Sequence, residues 1–305
     1  MKKSSLFVLS GILSVLLAAI IGLKALSNRQ PQYALCARGA AQHAALLEIT
    51  PHGGETARFA KTASGWAMLQ PFGYPANAQD IAMTAQMLCG AEVSDVLSTS
   101  PDAAAAFGLN PENAVKLAFY GTDKKRILEI TAGKESASLD AFYGRNDAGE
   151  VREISGIARA ALARPYTEWL DKTVCRTAVG AAASFEWKRG RENWKAVRSA
   201  GKWFMEHKGK RSGITGKAQA DKISALEAML ANLQAEKVVP VAGKDSDTAP
   251  FKPDFSLEIT AAGSNPVLLT VDSGKSAARR LRLSGETRVE FILSGWRADS
   301  LLITL

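Results

Sequence analysis

The feature that most limits how this chain can fold is an internal duplication. Residues 115–136 read VKLAFYGTDKKRILEITAGKES, and residues 255–276 read FSLEITAAGSNPVLLTVDSGKS. Both are two alternating apolar runs joined by a polar, glycine-containing turn, and both close on Gly-Lys and a serine. Upstream lie two helical stretches, 81–96 and 223–238, with Met87-Leu88 and Met229-Leu230 at the same place in each. Further back, Gly65-Trp66-Ala67-Met68 answers to Lys202-Trp203-Phe204-Met205, and downstream residues 151–156 answer to 289–295 with one residue inserted. The blocks keep one order at an offset of about 140 residues. Self-similarity at a fixed spacing marks repeated supersecondary units. Two tandem copies are therefore expected, 45–177 and 178–305, divided at the small-residue stretch 178–184.

Each copy predicts the same elements. Period-two alternation gives short strands at 45–50, 56–61 and 66–69, and again at 184–188, 194–198 and 202–206. One amphipathic helix follows in each. Ile223, Leu226, Leu230 and Leu233 form a stripe in the second, while Asn77 supplies an N-cap in the first with Asp80 in its opening turn. Four strands come next, reached through long loops at 98–111 and 245–253. The first copy ends in an alanine-rich helix, 157–163, stopped by Pro165. Runs of strands with isolated helices, lacking βαβ alternation, predict an α+β fold of mainly antiparallel sheets.

The N-terminus adds a membrane segment. Lys2 and Lys3 precede an uncharged run from Ser4 to Leu23, in which twelve of residues 6–23 are Leu, Ile, Val or Phe. A helix of about 20 residues matches a hydrocarbon core of about 30 Å. The run lacks the polar face that a core helix would show. Residues 1–27 thus read as an N-terminal anchor, or else a signal peptide with a weak cleavage signal at Ala25-Leu26-Ser27, and 28–44 as a linker. Bulky Leu35 before Cys36 does not suit a lipoprotein signal. The flanking charges, Lys2 and Lys3 against Lys24, Arg29 and Arg38, nearly balance. The short N-terminal stub favours a single pass through the cytoplasmic (inner) membrane, with the N-terminus inside and the body outside. There the three cysteines, Cys36, Cys89 and Cys175, permit one disulfide and leave one thiol. Their pairing stays open, and Cys89, inside a helix, reads as a small buried apolar side chain.

Several short motifs resemble a known bacterial pattern. Ala106-Phe107-Gly108-Leu109-Asn110-Pro111 is followed by a hairpin, a Gly-Lys pair, Phe142-Tyr143-Gly144-Arg145, and then Trp169-Leu170-Asp171-Lys172. This arrangement is similar to the family catalogued as domain of unknown function 4340. The likeness covers most of residues 45–175 and, more weakly, the second copy, where Phe251-Lys252-Pro253 has lost the Gly-Leu. The resemblance implies a body held by one N-terminal transmembrane helix, often encoded beside ABC-transporter components of the gliding-motility type. It supplies no catalytic residues.

Chemistry-bearing motifs are few. Dinucleotide, phosphate-loop, zinc-protease and nucleophile-elbow signatures are absent, so no cofactor or metal site is expected. Gly213-Ile214-Thr215-Gly216-Lys217 has Arg211 where a phosphate loop needs its first glycine, and Ser199-Ala200-Gly201-Lys202 reads as a hairpin turn. His43, His52 and His207 read as surface residues.

One segment stands out. Between Phe185 and Lys217 lie Lys188, Arg189, Arg191, Lys195, Arg198, Lys202, Lys208, Lys210, Arg211 and Lys217, against Glu186, Glu192 and Glu206. The segment's net charge of +7 accounts for nearly all of the chain's +8. Trp187, Trp194 and Trp203 are interleaved with it. Basic residues with aromatics suit single-stranded nucleic acid, but an extracytoplasmic body disfavours that partner. The remaining readings are a solvated face over packed tryptophans and a contact with anionic lipid, envelope polymer or an acidic protein. The expectation is a non-enzymatic accessory protein of a transport complex. The alternative is an envelope enzyme or binding module acting on an anionic polymer or carbohydrate.

Overall fold

The computed structural model describes residues 33–37, 39–214, 216–241, 250–274 and 277–304. The expected anchor, residues 1–27, lies outside the described residues. Among those described, no helix is long and apolar enough to cross a membrane. The fold is α+β, with two large, mainly antiparallel sheets and few helices.

In chain order the elements are β1 (Ala44–Thr50), β2 (Ala57–Thr62), β3 (Gly65–Gln70), β4 (Tyr74–Pro75), α1 (Ala78–Cys89), β5 (Glu92–Val93), β6 (Val115–Gly121), β7 (Arg126–Glu135), β8 (Ala141–Arg145), β9 (Val151–Ser155) and α2 (Arg159–Leu162). They continue as β10 (Thr173–Cys175), β11 (Ala182–Arg189), β12 (Glu192–Ser199), β13 (Lys202–His207), β14 (Lys210–Gly213), α3 (Lys217–Leu230), β15 (Leu233–Gln234), β16 (Lys237–Pro240), β17 (Pro253–Ala261), β18 (Val267–Asp272), β19 (Ala278–Leu283), β20 (Val289–Ser294) and α4 (Gly295–Ser300). The order of a four-strand meander, a helix, one or two short strands and a second four-strand meander thus occurs twice along the chain.

By its internal contacts the chain divides into two compact units, 1–44 with 83–163 and 45–82 with 164–305. In the described part of the first, the strands lie in the order β6-β7-β8-β9-β5. Alternation decides its core: Leu117 and Phe119 of β6 and Leu128 and Ile130 of β7 are buried. Cys36 and Cys89 form a disulfide that ties the segment before β1 to the end of α1. This corrects the reading of Cys89 as a merely apolar residue. A helix-end cysteine can meet a partner 53 residues away in sequence only through the tertiary fold, which no local pattern reveals.

The second unit holds the meander β4-β3-β2-β1, the pair β10-β15, and nine strands in the order β14-β13-β12-β11-β17-β18-β19-β20-β16. Asn77 caps α1 as expected, its Oδ1 accepting from the backbone N–H groups of Gln79 (3.2 Å) and Asp80 (3.3 Å). Trp169 and Leu170 are fully buried. The carbonyl of Trp169 accepts from the Asn77 N–H (2.8 Å), and the Asp171 N–H donates to the Pro75 carbonyl (3.0 Å). The Trp-Leu-Asp-Lys motif is therefore a clamp on the residues leading into α1.

Both helices are shorter than their sequence stripes. α1 stops at Cys89, where the Gly90 N–H closes on the Gln86 carbonyl, and the chain turns into β5 before Val96. α3 stops at Leu230, and Leu233 is buried on β15, paired with Cys175 of β10. Its apolar side chain continued the helical count while its backbone joined a strand. The expected helix at 157–163 contracts to Arg159–Leu162.

Candidate functional site

The basic segment folds as the meander β11–β14. Two-residue turns at Ala200-Gly201 and Lys208-Gly209 have positive φ at both positions, the geometry that matches the twist of paired strands. The Ser199–Lys202 match is thus the turn it was expected to be. Register sorts the side chains. Phe185, Trp187, Trp194, Ala196 and Met205 face the core. Glu186, Lys195, Glu206 and Arg211 form one cross-strand row on the opposite face, alternating in charge.

The tryptophans are mostly structural. Trp187 and Trp194 are buried and stacked, with ring centroids 6.3 Å apart. Their indole N–H groups donate to the carbonyls of Leu301 (2.8 Å) and Ile303 (2.7 Å), so these rings fix the C-terminal segment and offer no platform to a base. Trp203 is half-buried and stacks on Phe185 at 5.2 Å.

The ten basic residues divide by partner. Arg198 is an internal strut: its Nη2 donates to both carboxylate oxygens of buried Glu227 (2.8 and 2.7 Å), and its guanidinium lies 4.6 Å from the Trp203 ring centre. Arg189 joins a network in which Asp254 also binds Arg279. Lys188, Lys208 and Arg211 make looser pairs with Glu186 (3.3 Å), Glu192 (3.8 Å) and Glu206 (3.6 Å). Arg191, Lys195, Lys202, Lys210 and Lys217 have no acidic partner among the described residues, and all but half-buried Lys195 are exposed. Arg191, Lys208 and Lys210 sit at turns on the same end of the meander, so the structure gathers them into a basic edge. Lys202 lies at the opposite end and Lys217 opens α3.

A second grouping escaped residue-by-residue reading of the sequence. In the first unit, three short motifs converge. Phe107 packs on Tyr143 (centroids 4.9 Å apart), and its carbonyl accepts the Lys134 N–H (2.9 Å). Lys134 Nζ stands 6.0 Å from the Tyr143 ring centre, and Arg159 Nε donates to the Gly133 carbonyl. A side chain at Gly133 would overlap the Phe107 carbonyl oxygen, so the turn can close on β7 only over a glycine. The Phe-Gly-Leu-Asn-Pro turn, the Gly-Lys strand end and the Tyr-Gly-Arg strand thus hold one another in place.

A cleft of about 380 Å³ in the same unit contains Glu129, Asp147 and Glu150 beside Arg126, Arg152 and Tyr33. Each carboxylate is already engaged: Glu129 with Lys116 and Arg126, Asp147 with Arg126, and Glu150 with Arg152. Hydrogen bonding, from Lys116 at Glu129 and first from the Asn146 amide at Glu150, holds both acids below the usual carboxylate range. A general acid working near neutral pH needs the opposite shift. Among the described residues no group of histidine, cysteine and carboxylate side chains is placed to hold a metal ion. His43 and His52 are exposed, and His207 bonds the Asn193 carbonyl through Nδ1 (3.0 Å).

Comparison with known families matches residues 66–255 to the family described as Domain of unknown function (DUF4340), a span that includes the Phe107 turn, the Trp169 clamp and the whole basic meander. No curated protein matches the chain, and no solved structure does.

Proposed function

The chain belongs to the DUF4340 family, and from that premise we propose that it is a membrane-anchored envelope accessory protein that docks, by the basic edge of β11–β14, onto an anionic component of a transport complex of the ABC type. Residues 1–27 hold it in the cytoplasmic membrane, and the body lies on the extracytoplasmic side. The observation that carries this reading is the gathering of Arg191, Lys208 and Lys210 at one end of an exposed meander, with Lys195 nearby and several of these charges unpaired. Holding like charges together stabilises nothing within the fold and steers an oppositely charged partner. The Cys36–Cys89 disulfide supports the compartment, since such bonds persist where thiols are oxidised.

The test is co-purification from intact membranes. Replacing Arg191, Lys195, Lys208 and Lys210 by Ser should lower recovery of crosslinked envelope partners at low salt. It should also flatten the salt dependence seen with the unaltered protein. Recovery with the altered chain equal to that with the unaltered protein, at low and at high salt alike, would leave the edge as a solvated surface and end this proposal.

A further inference from the structure

One cavity in the second unit is unrelated to the basic edge. It is a groove of about 830 Å³ between α3 and the C-terminal stretch that begins with α4. Its floor is Leu226, Leu233 and Ile303, all buried, and Met229, Trp296 and Leu302 form its walls. Trp296 is 67% exposed, an unusual position for the largest apolar side chain. The corresponding residue of the first copy, Ile157, is buried. The backbone beneath the groove is already satisfied, because the carbonyls of Leu301 and Ile303 accept the indole N–H groups of Trp187 and Trp194. The floor therefore presents carbon rather than unmet polar atoms.

The charges at the rim are unequal. Asp299 is held by Arg279 at 2.6 Å, and Arg297 donates to the Gln234 carbonyl at 2.9 Å. Lys222 is exposed, lines the groove, and has no acidic partner among the described residues. From Lys222 to Met229 the groove follows about 10 Å of α3 at helical rise, and it continues past the helix end along Asn232 and Leu233, a length that suits an extended alkyl chain. Its volume falls in the range of roughly 300–1,000 Å³ typical of small-ligand sites, and its mix of apolar walls with a few polar rim groups is also typical. Met229 adds an adaptable surface suited to a flexible chain.

We propose that this groove binds a single-chain amphiphile with an anionic head, a free long-chain fatty acid. The carboxylate pairs with Lys222, and the chain lies along Met229, Leu226 and Ile303 under Trp296. This site does not depend on the docking role of the basic edge.

The full-length protein in nanodiscs of unbrominated lipid can be titrated with a dibrominated stearate while tryptophan emission is followed. The expected result is saturable quenching of a fraction that disappears in Trp296→Phe. Ala228→Trp, placed on the exposed helix surface lining the groove, should fill it and abolish saturation. Lys222→Ser should weaken binding about tenfold, and the methyl ester should bind the unaltered protein about as weakly as the acid binds that variant. The circular dichroism of each variant should match the parent, because all three positions are exposed. Non-saturating quenching identical in Ala228→Trp would reduce the signal to partition into the bilayer and overturn the proposal, as would equal affinity for acid and ester.

Discussion

Breaking the Cys36–Cys89 disulfide should cost the protein a large share of its stability. The bond closes a loop across a sequence separation of 53 residues. In the chain-entropy account, a loop of that length removes about 14 cal/mol/K from the unfolded ensemble, or about 4 kcal/mol at 25 °C. Native domains are stable by only about 5–15 kcal/mol. The loss should therefore show as a shift of more than about 1 M in the urea midpoint, given m-values of about 1–3 kcal/mol/M. The assay is urea unfolding followed by tryptophan emission in a Cys175→Ala background, which excludes thiol exchange. Oxidised protein, reduced protein and the Cys36→Ser/Cys89→Ser pair are compared. Reduced and double-serine proteins should coincide, both well below the oxidised form. Superimposable curves for all three would show that the loop is already closed in the unfolded chain. Free Cys36 and Cys89 thiols in protein isolated without reductant from its native cells would refute both the bond and the compartment proposed from it.

Three further outcomes follow from particular contacts. Arg198→Ala should destabilise by about 3–5 kcal/mol in chemical unfolding, because it leaves the buried Glu227 carboxylate unpaired, whereas Arg191→Ser and Lys210→Ser should each change stability by less than about 0.5 kcal/mol. Gly133→Ala should cost about 1–3 kcal/mol, since the added methyl meets the Phe107 carbonyl, and near-ultraviolet circular dichroism of the Phe107–Tyr143 pair should report the disturbance. Burial pushes the Cys175 thiol up to about 11 from 9.0. The unfolded thiol therefore ionises first, so this group's stabilisation is complete below pH 9 and is lost between about pH 9 and 11, and alkylation of the folded protein should accelerate roughly tenfold per pH unit through that window.

Much of this fold was legible in the sequence because a half-buried strand writes its burial into every second residue. Leu47, Ile49, Phe59 and Met68, and later Phe185, Trp187, Ala196 and Met205, are both the alternating apolar residues and the buried ones. The elements that escaped notice lack that signature. β14 is four exposed residues, Lys-Arg-Ser-Gly, with no apolar side chain to mark a strand. β4, β5 and β15 are two residues each, too short for any period to register. Leu233 misled for the related reason that three-residue spacing fits a helix as readily as the start of a strand beyond one. At the candidate site, the concentration of charge was readable, but its division was not. Whether Arg198 serves Glu227 or solvent depends on α3 arriving beneath β12, a long-range event that no local composition encodes.

That division bears on why the two halves differ. The same order of strands and helix is specified twice by inward-facing apolar residues, which leaves the outward positions free to change. In the first meander those positions include Glu48 and Arg58, which pair with each other across strands at 2.6 Å. In the second, the turns and outer rows carry Arg191, Lys195, Lys202, Lys208 and Lys210, and the helix after β20 carries exposed Trp296 where the first copy buries Ile157. Neither change is needed for burial, and clustered charge and an uncovered tryptophan both oppose solubility or folding in a chain without a partner. The two departures nevertheless lie in one half, on separate surfaces, above a core that retains the shared pattern. A duplicated fold would be expected to look like this if one copy kept the structural task and the other acquired surfaces for binding. Exchanging the outward residues of β1–β3 for their neutral counterparts should therefore leave partner recovery and amphiphile binding unchanged, whereas the equivalent exchange in β11–β14 should abolish the first and spare the second.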